Sequence, residues 1–110
     1  MDRQEYLHLV DACLRDVERW VCGLDEEEVD FATGDGLLTI EFTDGARFVL
    51  NRQTPASQMW FAAGARAWHY RWDPARRTWV DDRDGHELYA RLAEVVADKL
   101  GHPVAPLQAA

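Results

Sequence analysis

Long apolar runs are missing from this chain, and with them any segment able to cross a bilayer, which needs about 20 consecutive apolar residues. The N-terminus, Met1-Asp2-Arg3-Gln4-Glu5, has no apolar stretch behind a basic start. No signal peptide is therefore expected, and the protein is expected to be soluble and cytoplasmic. Cysteine is scarce. Cys13 and Cys22 form no CxxC pair and read as packing residues, not as a disulfide or metal clip. The histidines His8, His69, His86 and His102 lack zinc-ligand spacing, and no GxSxG, Cys–His or phosphate-loop pattern occurs, so nothing points to an enzyme. Positive charge is also short: the formal net charge is −8, which repels nucleic acid and anionic membranes.

What is present is unevenly placed. Residues 1–45 carry thirteen acidic and three basic side chains, a balance of −10, whereas the remainder comes to +2. Such a dipole attracts cations or a basic protein surface. At 110 residues, 47% of them apolar, the chain fits one domain with a modest core, with no internal repeat or linker.

Leu7, Val10, Leu14, Val17 and Val21 recur at helical spacing and predict a helix over about 4–22. Tyr6, Leu9, Cys13 and Trp20 widen its apolar arc, and Gly23 is a plausible terminator. Strand-like alternation follows over about 28–80, with Asp35-Gly36 and Asp44-Gly45 as hairpin turns. A second helix is expected over about 85–100, with Asp84 as its N-cap and Glu87 completing a capping box, and a short tail over 101–110. Helix, five to six antiparallel strands, helix predicts an α+β two-layer sandwich with both helices on one sheet face. That face carries Leu38, Ile40, Phe42, Leu50, Met59 and Phe61. Asp30, Glu41, Asn51, Gln58, Trp60 and His69 are left for the other.

The segment Asn51-Arg52-Gln53-Thr54-Pro55-Ala56-Ser57-Gln58-Met59-Trp60-Phe61 resembles the signature of the frataxin family: Asn, a basic residue, Gln, any, Pro, two of any, Gln, apolar, Trp, apolar. Tyr70 with Trp72, Trp79, and Asp84-Gly85 follow the family's order downstream. The short start resembles the bacterial members. The resemblance implies a non-enzymatic protein that binds iron weakly through surface carboxylates and regulates iron–sulfur cluster assembly. Its partners would be the cysteine desulfurase and the cluster scaffold. The resemblance adds no nucleic acid or membrane to these, and it implies a monomer, open to oligomerisation with iron.

Two surfaces carry that expectation. Asp25, Glu26, Glu27, Glu28 and Asp30, with Asp11 and Glu18 on the first helix, are the candidate ligands for iron or another divalent cation, since hard cations accept carboxylate oxygens. A charge run is ordinarily just a solvated face, and an isolated His8 is ordinarily a bystander. Arg15 lies within pairing reach of Asp11 and Glu18, which should shift the cation-binding load toward Asp25–Asp30. Trp60, ringed by Asn51, Arg52, Gln53, Gln58 and His69, is the candidate partner-binding plate. Two other readings remain open: an acidic adaptor whose iron binding is incidental, and a weak ferroxidase or iron store. The tail either folds back, with Val104 and Leu107 filling the groove between helices, or frays.

Overall fold

The first helix starts where Asp2 caps it, its Oδ1 accepting the Glu5 N–H at 2.8 Å, and it closes at Gly23. In the computed structural model, which describes all 110 residues, α1 spans Arg3–Cys22. It is followed by β1 (Val29–Gly34), β2 (Leu37–Phe42), β3 (Arg47–Gln53), β4 (Gln58–Ala63), β5 (Arg66–Asp73), β6 (Thr78–Asp81) and α2 (Leu88–Leu100). The six strands form one antiparallel sheet in chain order. Tyr6, Val10 and Val17 of α1 and Leu92 and Val96 of α2 enter one core with Ile40, Leu50 and Phe61 of the sheet. This is the α+β sandwich that the alternation of periods predicts, with the sixth strand present. Cys13 lies in that core, where burial pushes its thiol up to about 12, so it packs and does not react.

The second helix corrects one expectation. Its N-cap is Glu87, not Asp84: the Glu87 carboxylate accepts the N–H groups of Tyr89 and Ala90, and α2 begins at Leu88. Asp84 instead accepts the His86 N–H at 2.9 Å and pairs with Arg91 at 3.1 Å. Asp81, buried in β6, accepts the N–H groups of Arg83 and Asp84 and tightens the turn, delaying the helix.

Turn chemistry fixes the register of β1. Asp35-Gly36 is a two-residue hairpin that sets Gly34 opposite Leu37 and, counting back, Asp30 opposite Glu41. Gly36 has φ +68, and an added Cβ would meet the Arg52 side chain at 2.5 Å. Gly36→Ala should therefore cost about 1–2 kcal/mol in urea unfolding, from left-handed backbone and displacement of Arg52. A loss below a few tenths would show that the turn relaxes freely.

Asp44, in the β2–β3 turn, ties that turn to α2 by accepting from Lys99. The Lys99 hydrogen bond, then the Ala46 N–H, hold its carboxyl below the usual range. A depressed carboxyl stabilises the fold above its unfolded value, about 3.9, and that contribution is lost as pH falls through the lower, folded value. Asp44→Asn should therefore flatten the acid limb of the stability profile below about pH 4 and leave its neutral plateau shape unchanged. An acid limb with the same slope would overturn this.

The tail folds back. The Trp20 indole N–H donates to the Ala105 carbonyl at 2.8 Å, Leu107 is 7% exposed against the core, and Val104 packs beside it. The Ala110 N–H donates to Asp16 at 3.2 Å. Asp16, a buried carboxylate of α1, also accepts from Arg19 at 2.9 Å and from the Tyr89 hydroxyl at 2.8 Å.

Candidate functional site

The acidic residues fall at the junction between α1 and β1 because the helix stops at Gly23 and the chain turns at once into the sheet edge. Asp25 builds the turn: its side chain accepts the Glu27 N–H at 2.9 Å, and its carbonyl accepts the N–H groups of Glu28 and Val29. Glu26 and Glu27 are exposed and form no ion pair. Glu28 faces His102, whose Nε2 lies 2.9 Å from both of its oxygens. The Pro103 carbonyl, and then Glu28, raise the pKa of that imidazole. Asp30 accepts the Phe31 N–H at 2.8 Å, occupying an edge donor that another strand would otherwise pair.

Across the ladder, Asp30 stands directly opposite Glu41, a like-charge pair that destabilises an antiparallel sheet. Arg47 stands opposite Glu41 on its other side but forms no ion pair with it. Glu26, Glu28, Asp30 and Glu41 line a shallow depression of about 130 Å³. No three His, Cys, Asp or Glu side chains converge closely enough to cage an ion. The donors present suit a hard cation that keeps much of its water.

The helical stripe differs from expectation. Arg15 pairs with neither Asp11 nor Glu18, and Arg19 is taken by Asp16. Asp11, Arg15, Glu18 and Asp35 line an open depression of about 300 Å³ between α1 and the β1–β2 hairpin. Seven residues separate Asp11 from Glu18, about 10 Å along a helix, too far to share one ion. Asp35 is held by Arg52 at 3.0 Å, at the far end of β1 from the junction. His8 is exposed on α1.

The uncovered sheet face presents a cross-strand row of Leu37, Asn51, Trp60 and His69. Trp60 is half-buried and stacks on His69, with ring centroids 4.2 Å apart and planes 11° from parallel. Its indole N–H donates to Gln58 Oε1 at 2.9 Å, and Gln58 donates onward to Asp82 at 3.2 Å. The Asp82 N–H returns to the His69 carbonyl at 3.0 Å, closing the circuit. Asn51 donates to the Arg52 carbonyl, and Gln53 stands opposite Gln58 on the same face. Arg52 corrects the expected ring around Trp60. Its register partner is Met59, so its side chain lies on the helix-covered side, beside Gly36 and Asp35.

Reading the sequence alone misses two participants, Asp82 and His102, and puts Glu41 on the face of Asp30 without fixing the pair. Glu41 as the partner of Asp30 was within reach, since a two-residue turn fixes every pair behind it. Asp82 and His102 were not, because their contacts run between segments far apart in the chain.

A family profile described as a frataxin-like domain matches residues 1–102. The iron–sulfur cluster assembly protein CyaY of Ralstonia nicotianae is 39% identical over 102 residues, 90% of this chain and 88% of that protein. The protein of the same description from Paraburkholderia phymatum is 34% identical over 94% of this chain and 96% of its own length. Among solved structures, a frataxin from Psychromonas ingrahamii superposes with a TM-score of 0.83 at 28% identity, covering 94% of this chain and 96% of its own.

Proposed function

Because the chain belongs to the frataxin-like family, we propose that it serves iron–sulfur cluster assembly as a binding partner and iron-responsive regulator, not as an enzyme. The observation that carries this reading is the braced Trp60–His69 plate on the sheet face that the helices leave bare. A stacked, hydrogen-bonded aromatic loses little rotamer freedom on docking, the property of an interface hot spot. The partners are the cysteine desulfurase and the cluster scaffold. The acidic edge steers the encounter toward a basic surface, and the plate supplies the short-range contacts.

Iron enters as cargo and signal. The unrelieved Asp30–Glu41 opposition gives a cation an energetic reason to settle at the junction, and the lack of a three-carboxylate cage suits weak, exchangeable binding. The combined variant Glu26→Gln, Asp30→Asn, Glu41→Gln should lose roughly tenfold or more in affinity for anaerobic ferrous iron or cobalt. Asp11→Asn with Glu18→Gln should lose less. Equal losses in a calorimetric titration would remove the junction from its place in this reading.

The deciding experiment is capture of the cell's cysteine desulfurase by the intact protein, with and without ferrous iron, at two salt concentrations. Capture that weakens with salt and responds to iron is the expected result. No capture under any condition would sink the proposal. The same lack of a three-carboxylate cage also favours a second reading, an adaptor with incidental iron binding. An iron-binding-deficient variant that still regulates assembly in an iron-dependent way would select it.

A further inference from the structure

The turn after β6 is held from several directions. The Asp81 N–H donates to the His86 carbonyl at 2.8 Å, and the Gly85 N–H donates to the Asp81 carbonyl at 3.0 Å. The buried Asp81 carboxylate accepts the N–H groups of Arg83 and Asp84, and Asp84 pairs with Arg91 at 3.1 Å. Neighbouring residues of an extended chain face opposite sides, so an inward Asp81 sends Asp82 to the face that carries Trp60. Asp82 is exposed, yet it reaches both halves of the aromatic plate. Its N–H donates to the His69 carbonyl at 3.0 Å, and its carboxylate accepts from Gln58 Nε2 at 3.2 Å.

What that carboxylate does follows from the amide it meets. A glutamine amide has nearly the same shape either way round, with an oxygen that accepts and an NH2 that donates. Gln58 lies between two groups of fixed polarity. The Trp60 indole N–H can only donate, and an ionised carboxylate can only accept. One orientation satisfies both, with Oε1 toward the indole at 2.9 Å and Nε2 toward Asp82. Turned over, the amide sets donor against donor and acceptor against acceptor. Arg71, directly opposite Gln58 on the same face, also only donates, so it competes with the indole for Oε1. Asp82 is the neighbour that opposes that exchange.

We propose that Asp82 is a positioning residue for docking: its carboxylate locks the Gln58 amide and so holds the Trp60 indole flat on His69, in the orientation the partner meets. The proposal rests on the reading of Trp60 as the docking plate. It deepens that reading by naming the group that presets the plate. A ring fixed before the encounter removes an ordering cost from binding.

The test measures affinity for the desulfurase–scaffold complex, together with the Trp60 indole N–H resonance of the free protein. Asp82→Ala and Asp82→Asn carry the same net charge, so their comparison separates the hydrogen bond from long-range steering. Asp82→Ala should lose affinity about fivefold, the effect of one net hydrogen bond. Its indole N–H should shift and exchange faster with water. Asp82→Asn keeps an amide oxygen that accepts from Gln58, and should stay within about twofold of wild type by affinity. Gln58→Ala removes the lock from the other side and should lose at least as much as Asp82→Ala. Thermal unfolding establishes that each variant is folded, and Gln58→Ala decides the matter if Asp82→Ala is not. An unmoved indole resonance in Asp82→Ala, or equal losses in Asp82→Ala and Asp82→Asn, overturns the lock. Wild-type affinity in Asp82→Ala beside a weakened Trp60→Ala also overturns it, and leaves the docking plate standing. Wild-type affinity in Trp60→Ala removes the plate itself, and the docking role of Asp82 with it.

Discussion

Trp60→Ala is expected to reduce affinity for the desulfurase–scaffold complex by at least thirtyfold, about 2 kcal/mol or more, while leaving the fold intact. The two halves of this expectation have different physical sources. Trp60 points away from the core, and what it touches at home is one face of His69 and the Gln58 amide. Removing it costs the folded protein a half-exposed stacking contact worth about 0.5–1.5 kcal/mol and leaves no buried cavity. Removing it from an interface deletes a large flat apolar surface whose position was already fixed. It also frees Gln58 and Asp82 to move, so the loss of shape exceeds the loss of one side chain. Surface plasmon resonance against the immobilised complex, paired with urea unfolding, separates the two. His69→Ala should show a smaller loss in the same direction, because it removes the support and leaves the plate. Unchanged affinity for Trp60→Ala would show that docking uses another surface.

The legibility of this molecule follows the range of the forces involved. The helix over α1 and the alternation of β1 to β5 were readable because period and turn residues act within a few positions of themselves. The motif from Asn51 to Phe61 was readable for the same reason: Pro55 and the turn around it set which residues flank Trp60. The parity rule placed Asp30, Glu41, Gln58, Trp60 and His69 correctly on the bare face. It should also have placed Arg52 on the other side, since Arg52 alternates with Asn51 and Gln53. Adjacency in sequence to Asn51 and Gln53 does not make Arg52 a spatial neighbour of Trp60, because alternate residues of a strand face opposite sides. The Asp84 cap failed because one local contact outcompeted another: the buried Asp81 carboxylate, two and three residues back, captured the turn, and Glu87 was left to cap the helix. Arg15 failed in the opposite way. Helical spacing permits its pairing with Asp11 or Glu18, but exposed pairs gain so little that nothing compels it.

Leu107→Ala carries the second large effect, on stability rather than on binding. The family match ends at residue 102, so nothing in the frataxin-like pattern dictates what the last eight residues do. Their only buried side chain is Leu107, and it plugs the core, lining one depression with Leu9 and Tyr89. Truncating a buried leucine costs about 2–5 kcal/mol, and a chain terminus that can adjust belongs at the low end of that range. About 2 kcal/mol corresponds to a fall in melting temperature on the order of 10 °C for a domain of this size. The hydrogen bonds cannot substitute for that burial. The Trp20 indole and Asp16 both find water if the tail lifts, so each contributes only about 1 kcal/mol net. The apolar plug therefore decides whether the tail is bound, and the polar contacts decide where it lies. Exchange of the Trp20 indole proton, protected by the Ala105 carbonyl at 2.8 Å, should accelerate in Leu107→Ala along with the loss of melting temperature. A wild-type melting temperature with unchanged indole exchange would mean that the tail is held by its polar contacts after all.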